Sequence, residues 1–204
     1  MSKKQYGNPF VVAICGASGG VYGVRLAASL LRAGHQVQVI LSHAGVQVLA
    51  HEMGYNLENR FDAFMAGYGV GPETLKHLSV FSQDEIGAPP ASGSFRHAGM
   101  AVVPCSMKTL AGVAAGYADN LITRACDVSL KEGRRLILVP RETPLSLIHL
   151  ENMARLARAG AVILPAMPSF YSFPATMDAL VDTVVARIMD QLGVDQSLVP
   201  RWGE

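Results

Sequence analysis

FVVAICGASGGVYGVRLAASLLR, residues 10–32, decides the fold. The apolar run 10–15 reads as a buried strand. Gly16-Ala17-Ser18-Gly19-Gly20 then makes a turn of small residues. After it Val21, Val24, Leu26, Leu30 and Leu31 recur near helical spacing. Strand, glycine turn and helix together aim backbone N–H groups and a helix N-terminus at an anion, usually a phosphate. Glycine suits the turn because a Cβ would block close approach or forbid the backbone angles. Ser18 either caps the helix or donates its hydroxyl to a ligand. The competing reading is a glycine that only closes a turn, common after the first strand of α/β proteins.

Working outward, Gly34 ends the first helix and residues 36–41 (QVQVIL) form a second strand. Ser42 follows directly and caps a helix over 42–53. A nicotinamide-binding unit wants an acidic residue at the end of that second strand and a GxGxxG turn after the first. Here Ser42 holds the first place and the turn departs from the pattern, so a mononucleotide such as FMN fits better. Residues 54–99 are the least regular, with a short strand at 77–81 and a loop at 86–99 rich in Pro, Gly, Ser and Ala. The strand 100–104 runs into Cys105-Ser106-Met107-Lys108-Thr109 and a helix ending at Gly116. This is a second strand-to-helix junction, where Ser106 and Thr109 either cap the helix or touch a ligand.

Asp119-Asn120 opens a helix over 121–132, in which Arg124 and Lys131 share a face of the kind usually solvated. A strand at 136–139 ends in the charged loop Pro140-Arg141-Glu142-Thr143-Pro144. Then come a helix at 145–158, a strand at 161–164, a proline-bracketed aromatic loop at 165–174 and a helix at 175–192. Arg187 sits among that last helix's apolar residues, where a snorkelling rim residue is the usual reading. The alternation predicts about six parallel strands in a doubly wound, flavodoxin-like or Rossmann-like three-layer α/β sandwich, one domain over 1–204.

Composition narrows the class. Half of the 204 residues are apolar, yet no run approaches the ~20 residues of a membrane helix. The polar start MSKKQYGNPF does not resemble a signal peptide, and a cytoplasmic location is expected. A net charge of +1 argues against nucleic acid as partner. Cys15, Cys105 and Cys126 lack CxxC spacing, so no disulfide framework and no metal site is expected. The high apolar content with low charge fits burial of surface by oligomerisation. In an open α/β sheet, ligands sit at the carboxyl ends of the strands. That edge should gather Ser18, Ser42, Ser106, Lys108, Thr109, Arg141, Glu142 and Tyr171. Arg141, with Lys131 and Arg187 if they reach in, gives more cation than one phosphate needs, which suggests a second phosphorylated ligand.

The chain resembles the UbiX-type flavin prenyltransferases over nearly its whole length. The resemblance is carried by GASGGVYGVRL (16–26), SHAGVQVLAHE (42–52), APPASGS (88–94), 104–132, LVPRETPLSLIHLENM (138–153), GAVILPAMPSFY (160–171) and PRWGE (200–204). It implies an enzyme that joins the dimethylallyl group of dimethylallyl phosphate to N5 and C6 of reduced FMN without a metal. It also implies delivery of the prenylated FMN to a UbiD-type decarboxylase, and a dodecamer with sites at subunit interfaces. By the same resemblance Gly16, Ala17, Ser18, Ser42, Ser106, Met107, Lys108, Thr109 and Arg141 contact FMN. Lys131, Arg141, Tyr171 and Arg187 bind the prenyl phosphate, Lys131 from across an interface. Ser18, Glu52 and Glu142 are the proton-handling residues, and the loops at 86–94 and 170–171 are candidate lids. The chain departs from the family pattern at His43, Ile86 and residues 172–176. Two other functions are compatible with the fold: an FMN-dependent cysteine-type decarboxylase, whose asparagine-bearing signatures are missing here, and a non-catalytic FMN-binding or delivery protein.

Overall fold

The computed structural model describes residues 7–56, 58 and 60–203. Six strands form one all-parallel sheet in the order β3-β2-β1-β4-β5-β6. They are β1 (Phe10–Ile14), β2 (Val37–Leu41), β3 (Leu78–Ser82), β4 (Gly99–Cys105), β5 (Leu136–Pro140) and β6 (Val162–Ile163). The helices are α1 (Gly20–Arg32), α2 (His43–Met53), α3 (Phe61–Ala66), α4 (Pro72–Leu75), α5 (Met107–Ala115), α6 (Leu121–Lys131), α7 (Leu147–Arg158) and α8 (Met177–Leu192). A 3-10 turn covers Pro89–Ala91. The expected flavodoxin-like, doubly wound sandwich is therefore present.

Alternation along the central strands builds two cores. Phe10, Val12 and Ile14 of β1 face α1 and α8, whereas Val11, Ala13 and Cys15 face α5, α6 and α7. Strands covered on both sides read as unbroken apolar runs, and β1, β4 and β5 are buried at every position. The α1 and α8 layer is also clamped by charge. Arg25 gives Asp182 two hydrogen bonds, of 2.7 and 2.6 Å, and reaches Asp178 at 3.0 Å.

Two elements were not expected. The short helices α3 and α4 lie in the stretch read as irregular, where the rings of Tyr55, Phe61, Phe64 and Tyr68 meet in edge-on and tilted contacts. The expected loop at 86–94 exists but is not free. Pro90 is buried, the Arg124 Nε donates to the Ala91 carbonyl at 3.1 Å, and the Arg134 Nη2 donates to the Gly93 carbonyl at 2.5 Å. Arg124 is thus a half-buried strap, not a solvated charge, and the loop is pinned where a lid was anticipated. No helix among the described residues is long and apolar enough to cross a membrane.

Candidate active site

Strand order reverses between β1 and β4, and the two strand-to-helix junctions meet there. The Cys15 N–H donates to the Pro104 carbonyl at 3.2 Å, and the Thr109 hydroxyl reaches the Cys15 sulfur at 3.4 Å. Burial pushes the Cys15 thiol up to about 11, against the lowering effect of its bonds to Thr109 and Ser106. It stays protonated at neutral pH and is a packing residue, as its place in the sequence implies.

The glycine turn is built differently from expectation. Gly19, at φ 100°, is the N-cap of α1 and provides no side-chain cap, so Ser18 does not cap this helix. The orphan N–H groups go instead to a carboxylate 33 residues away. Gly19 and Gly20 donate to Glu52 Oε2 at 2.9 and 3.3 Å. The Ser18 hydroxyl also bonds that carboxylate, and Arg141 lies within Coulombic reach. Partial burial opposes ionisation of Glu52, but these four partners outweigh it and hold the carboxyl below its usual range. The Arg141 Nε donates to the Ser18 carbonyl at 3.1 Å, tying the end of β5 to the turn after β1. The anion at the α1 N-terminus is thus the chain's own side chain. Gly16 serves close approach: a Cβ there would lie 2.3 Å from that of Ala44, so the turn packs against the first turn of α2.

Ser42 and Ser106 do cap, as their positions after β2 and β4 imply. The Ser42 oxygen accepts from the Gly45 N–H at 2.9 Å, and that of Ser106 accepts from the Thr109 N–H at 3.3 Å. The Ser106 hydroxyl points its proton at the Thr109 oxygen, 3.1 Å away. The α5 N-terminus carries no acidic residue in its first turn. Its N–H groups at Met107 and Lys108 have no partner within the helix. Lys108 is exposed beside them, and the Met107 side chain is buried in the second core.

Arg141 and Glu142 line a crevice of about 310 Å³ with Thr143, Leu145, Met153 and Met167. Glu142 is exposed and accepts the Thr143 N–H at 3.0 Å. Tyr171 is half exposed, its ring 5.4 Å from that of Trp202 in an edge contact.

The expected gathering of Lys131, Arg141 and Arg187 does not occur within one chain. Lys131 ends α6 at the far edge of the sheet, separated from Arg141 by the length of β5, roughly 16 Å for five residues. Arg187 lies on the flank of the sheet, in a groove with Val162, Leu164 and Gln191, and pairs with Asp190 at 2.9 Å. The winding forces this. Helices that return antiparallel to the strands carry their last turns to the edge opposite the strand C-termini. The sequence missed the use of Asp190, which also takes Arg201 at 3.1 Å, because the partners are 11 residues apart with a helix end between them.

A two-faced parallel sheet with capped helix N-termini around its switch point is the frame of a mononucleotide-binding flavoprotein, and residues 1–189 match the Flavoprotein family model. A flavin prenyltransferase UbiX of Halalkalibacterium halodurans is 46% identical over 203 residues, covering 98% of this chain and 95% of the relative. Among solved structures, AnUbiX in complex with FMN and dimethylallyl pyrophosphate superposes with a TM-score of 0.85 at 39% identity, covering 97% of this chain and 98% of the other. A dodecameric FMN-dependent UbiX-like decarboxylase from Escherichia coli O157:H7 gives 0.82 at 41%, with 96% and 99% covered. The chain belongs to the UbiX flavin prenyltransferase family.

Proposed function

We propose that this chain is a flavin prenyltransferase that transfers the dimethylallyl group of dimethylallyl phosphate to N5 and C6 of reduced FMN, working as one flavin-binding domain. The observation that carries this is the buttressed carboxylate of Glu52 on Ser18, Gly19 and Gly20, beside Arg141, at the same strand-end edge of the sheet as an α5 N-terminus that lacks an acid of its own.

The residues fit FMN. The N–H groups of Met107 and Lys108, the Lys108 ammonium and the hydroxyls of Ser42, Ser106 and Thr109 offer donors to a phosphate and a ribityl chain. Gly16 and Ser18 are exposed at the turn after β1, where their backbone can meet the flavin, and Ala17 beside them is buried. The α1 N-terminus is filled by Glu52, which assigns the phosphate to α5 instead. When bound, reduced FMN supplies the nucleophilic N5 and C6.

What the chain adds is charge control. Breaking the allylic C–O bond puts negative charge on the leaving phosphate, and Arg141, Arg187, Lys131 and the Tyr171 hydroxyl stabilise it. Because Lys131 and Arg187 stand apart from Arg141 in one chain, they serve the sites of neighbouring copies. That reading agrees with the exposed apolar residues Leu147, Ile148, Phe170, Phe173 and Met177, which an assembly of the dodecameric kind would cover. Glu52, Ser18 and Glu142 hold and move protons next to the flavin, with Glu52 kept ionised by its four partners. The product passes to a UbiD-type decarboxylase, and the reaction takes place in the cytoplasm.

Anaerobic incubation with reduced FMN and dimethylallyl phosphate tests the reading. A flavin heavier by one prenyl unit is expected. An unchanged flavin with FMN still bound would favour a delivery protein, and carbon dioxide released from a cysteine-terminated peptide would favour a decarboxylase.

A further inference from the structure

The motif APPASGS at 88–94 takes no part in the crevice, yet the chain invests two arginines in holding it. Arg124 bonds the carbonyl of Ala91, and Arg134 bonds that of Gly93. Arg124 lies within α6 and Arg134 just beyond its end, so the loop is fastened along that helix towards its C-terminus. There Lys131 Nζ meets Glu132 Oε1 at 2.5 Å. A Cβ added at Gly93 would stand 2.6 Å from Glu132 Oε1 and 2.9 Å from Lys131 Nζ. The backbone of Gly93 is not in the left-handed region, so conformational freedom does not explain the glycine. Space does.

We propose that Gly93 and Glu132 are positioning residues for Lys131: the pinned loop, bare at Gly93, is the seat on which the ion pair fixes the ammonium that meets the donor's phosphate in a neighbouring subunit. This rests on the reading of Lys131 as a prenyl-phosphate ligand. The pull is mutual, for Lys131 holds the Glu132 carboxyl below its usual range. Stability is not the purpose, because an exposed ion pair of this kind contributes little. The strapped loop leaves an added methyl no retreat, so the two flexible side chains must move. Gly93→Ala is thus a substitution that displaces a charge while sparing the fold.

The test compares Gly93→Ala, Glu132→Gln and Lys131→Ala with the parent protein. Five quantities are read: melting temperature, FMN affinity, kcat and KM for dimethylallyl phosphate, and the rate of Lys131 acylation by an amine-reactive ester, mapped by peptide mass spectrometry with Lys108 as internal reference. Lys131→Ala should raise KM about tenfold or more, the loss of one charge-assisted hydrogen bond. Gly93→Ala and Glu132→Gln should raise it severalfold with melting temperature and FMN affinity unchanged, and should shift acylation of Lys131 at least twofold relative to Lys108. If Lys131→Ala raises KM while Gly93→Ala changes neither KM nor acylation, the positioning role is wrong. If Lys131→Ala leaves KM unchanged, the ligand reading itself has failed and the proposal falls with it.

Discussion

Glu52→Gln isolates the least anticipated feature of the site. The substitution keeps the shape and removes the charge at the N-terminus of α1. In the parent, Glu52 Oε2 accepts from Gly19 at 2.9 Å and Gly20 at 3.3 Å, with Ser18 as a further donor. Hydrogen bonds to a charged acceptor are worth roughly 1 kcal/mol more than neutral ones. Because Glu52 is largely exposed, solvent screening cuts the sum of several such differences to about 1 kcal/mol of folding stability at pH 7. The sign follows from linkage. The folded carboxyl titrates below its unfolded counterpart, near 4.3, so its stabilisation is full above that pH and is lost as pH falls through the lower, folded value. Urea unfolding at fixed protein concentration should show a gap of about 1 kcal/mol between parent and variant at pH 7 that narrows as pH falls below the unfolded value and closes once the folded carboxyl is protonated. The same variant should prenylate roughly 10²- to 10⁴-fold more slowly if Glu52 handles a proton. Its FMN affinity should stay within about twofold, because the phosphate belongs at α5. A gap that persists at low pH would refute the electrostatic account. Much tighter FMN binding would show that Glu52 had been occupying the phosphate's own seat.

Arg187→Ala should raise KM for dimethylallyl phosphate about tenfold while leaving FMN affinity intact, read by steady-state kinetics and flavin fluorescence titration. Equal loss of both ligands would show that Arg187 serves the flavin. Arg25→Ala strands Asp182, whose side chain is only 14% exposed, and should cost about 2 kcal/mol in urea unfolding through the α1 and α8 layer. A change within error would mean that hydrophobic packing alone holds those helices.

The central strands were legible because burial on both faces removes polar residues from them, and an unbroken apolar run is what such burial leaves behind. Ser42 and Ser106 were legible as caps because a cap acts within three residues of itself. The helices α3 and α4, of six and four residues, are too short to show a helical period, so their ring cluster could not be read as structure. Glu52 was singled out, but not its seat, since its partners lie 33 residues back and only the fold brings them near. Of the two roles open to Ser18, the fold removes the cap for the same reason: local propensity offers a hydroxyl, and a distant carboxylate takes the helix N-terminus.

The dispersal of Lys131, Arg141 and Arg187 follows from chain direction alone. Each parallel strand delivers its last residue to one edge, and each returning helix delivers its last turn to the other. Arg141 follows a strand, whereas Lys131 ends a helix and Arg187 lies ten residues into one, about 15 Å from its start. No side-chain rotation brings such groups around one phosphate. A site that uses all three must therefore be assembled from more than one copy, and its activity should depend on protein concentration wherever the assembly dissociates.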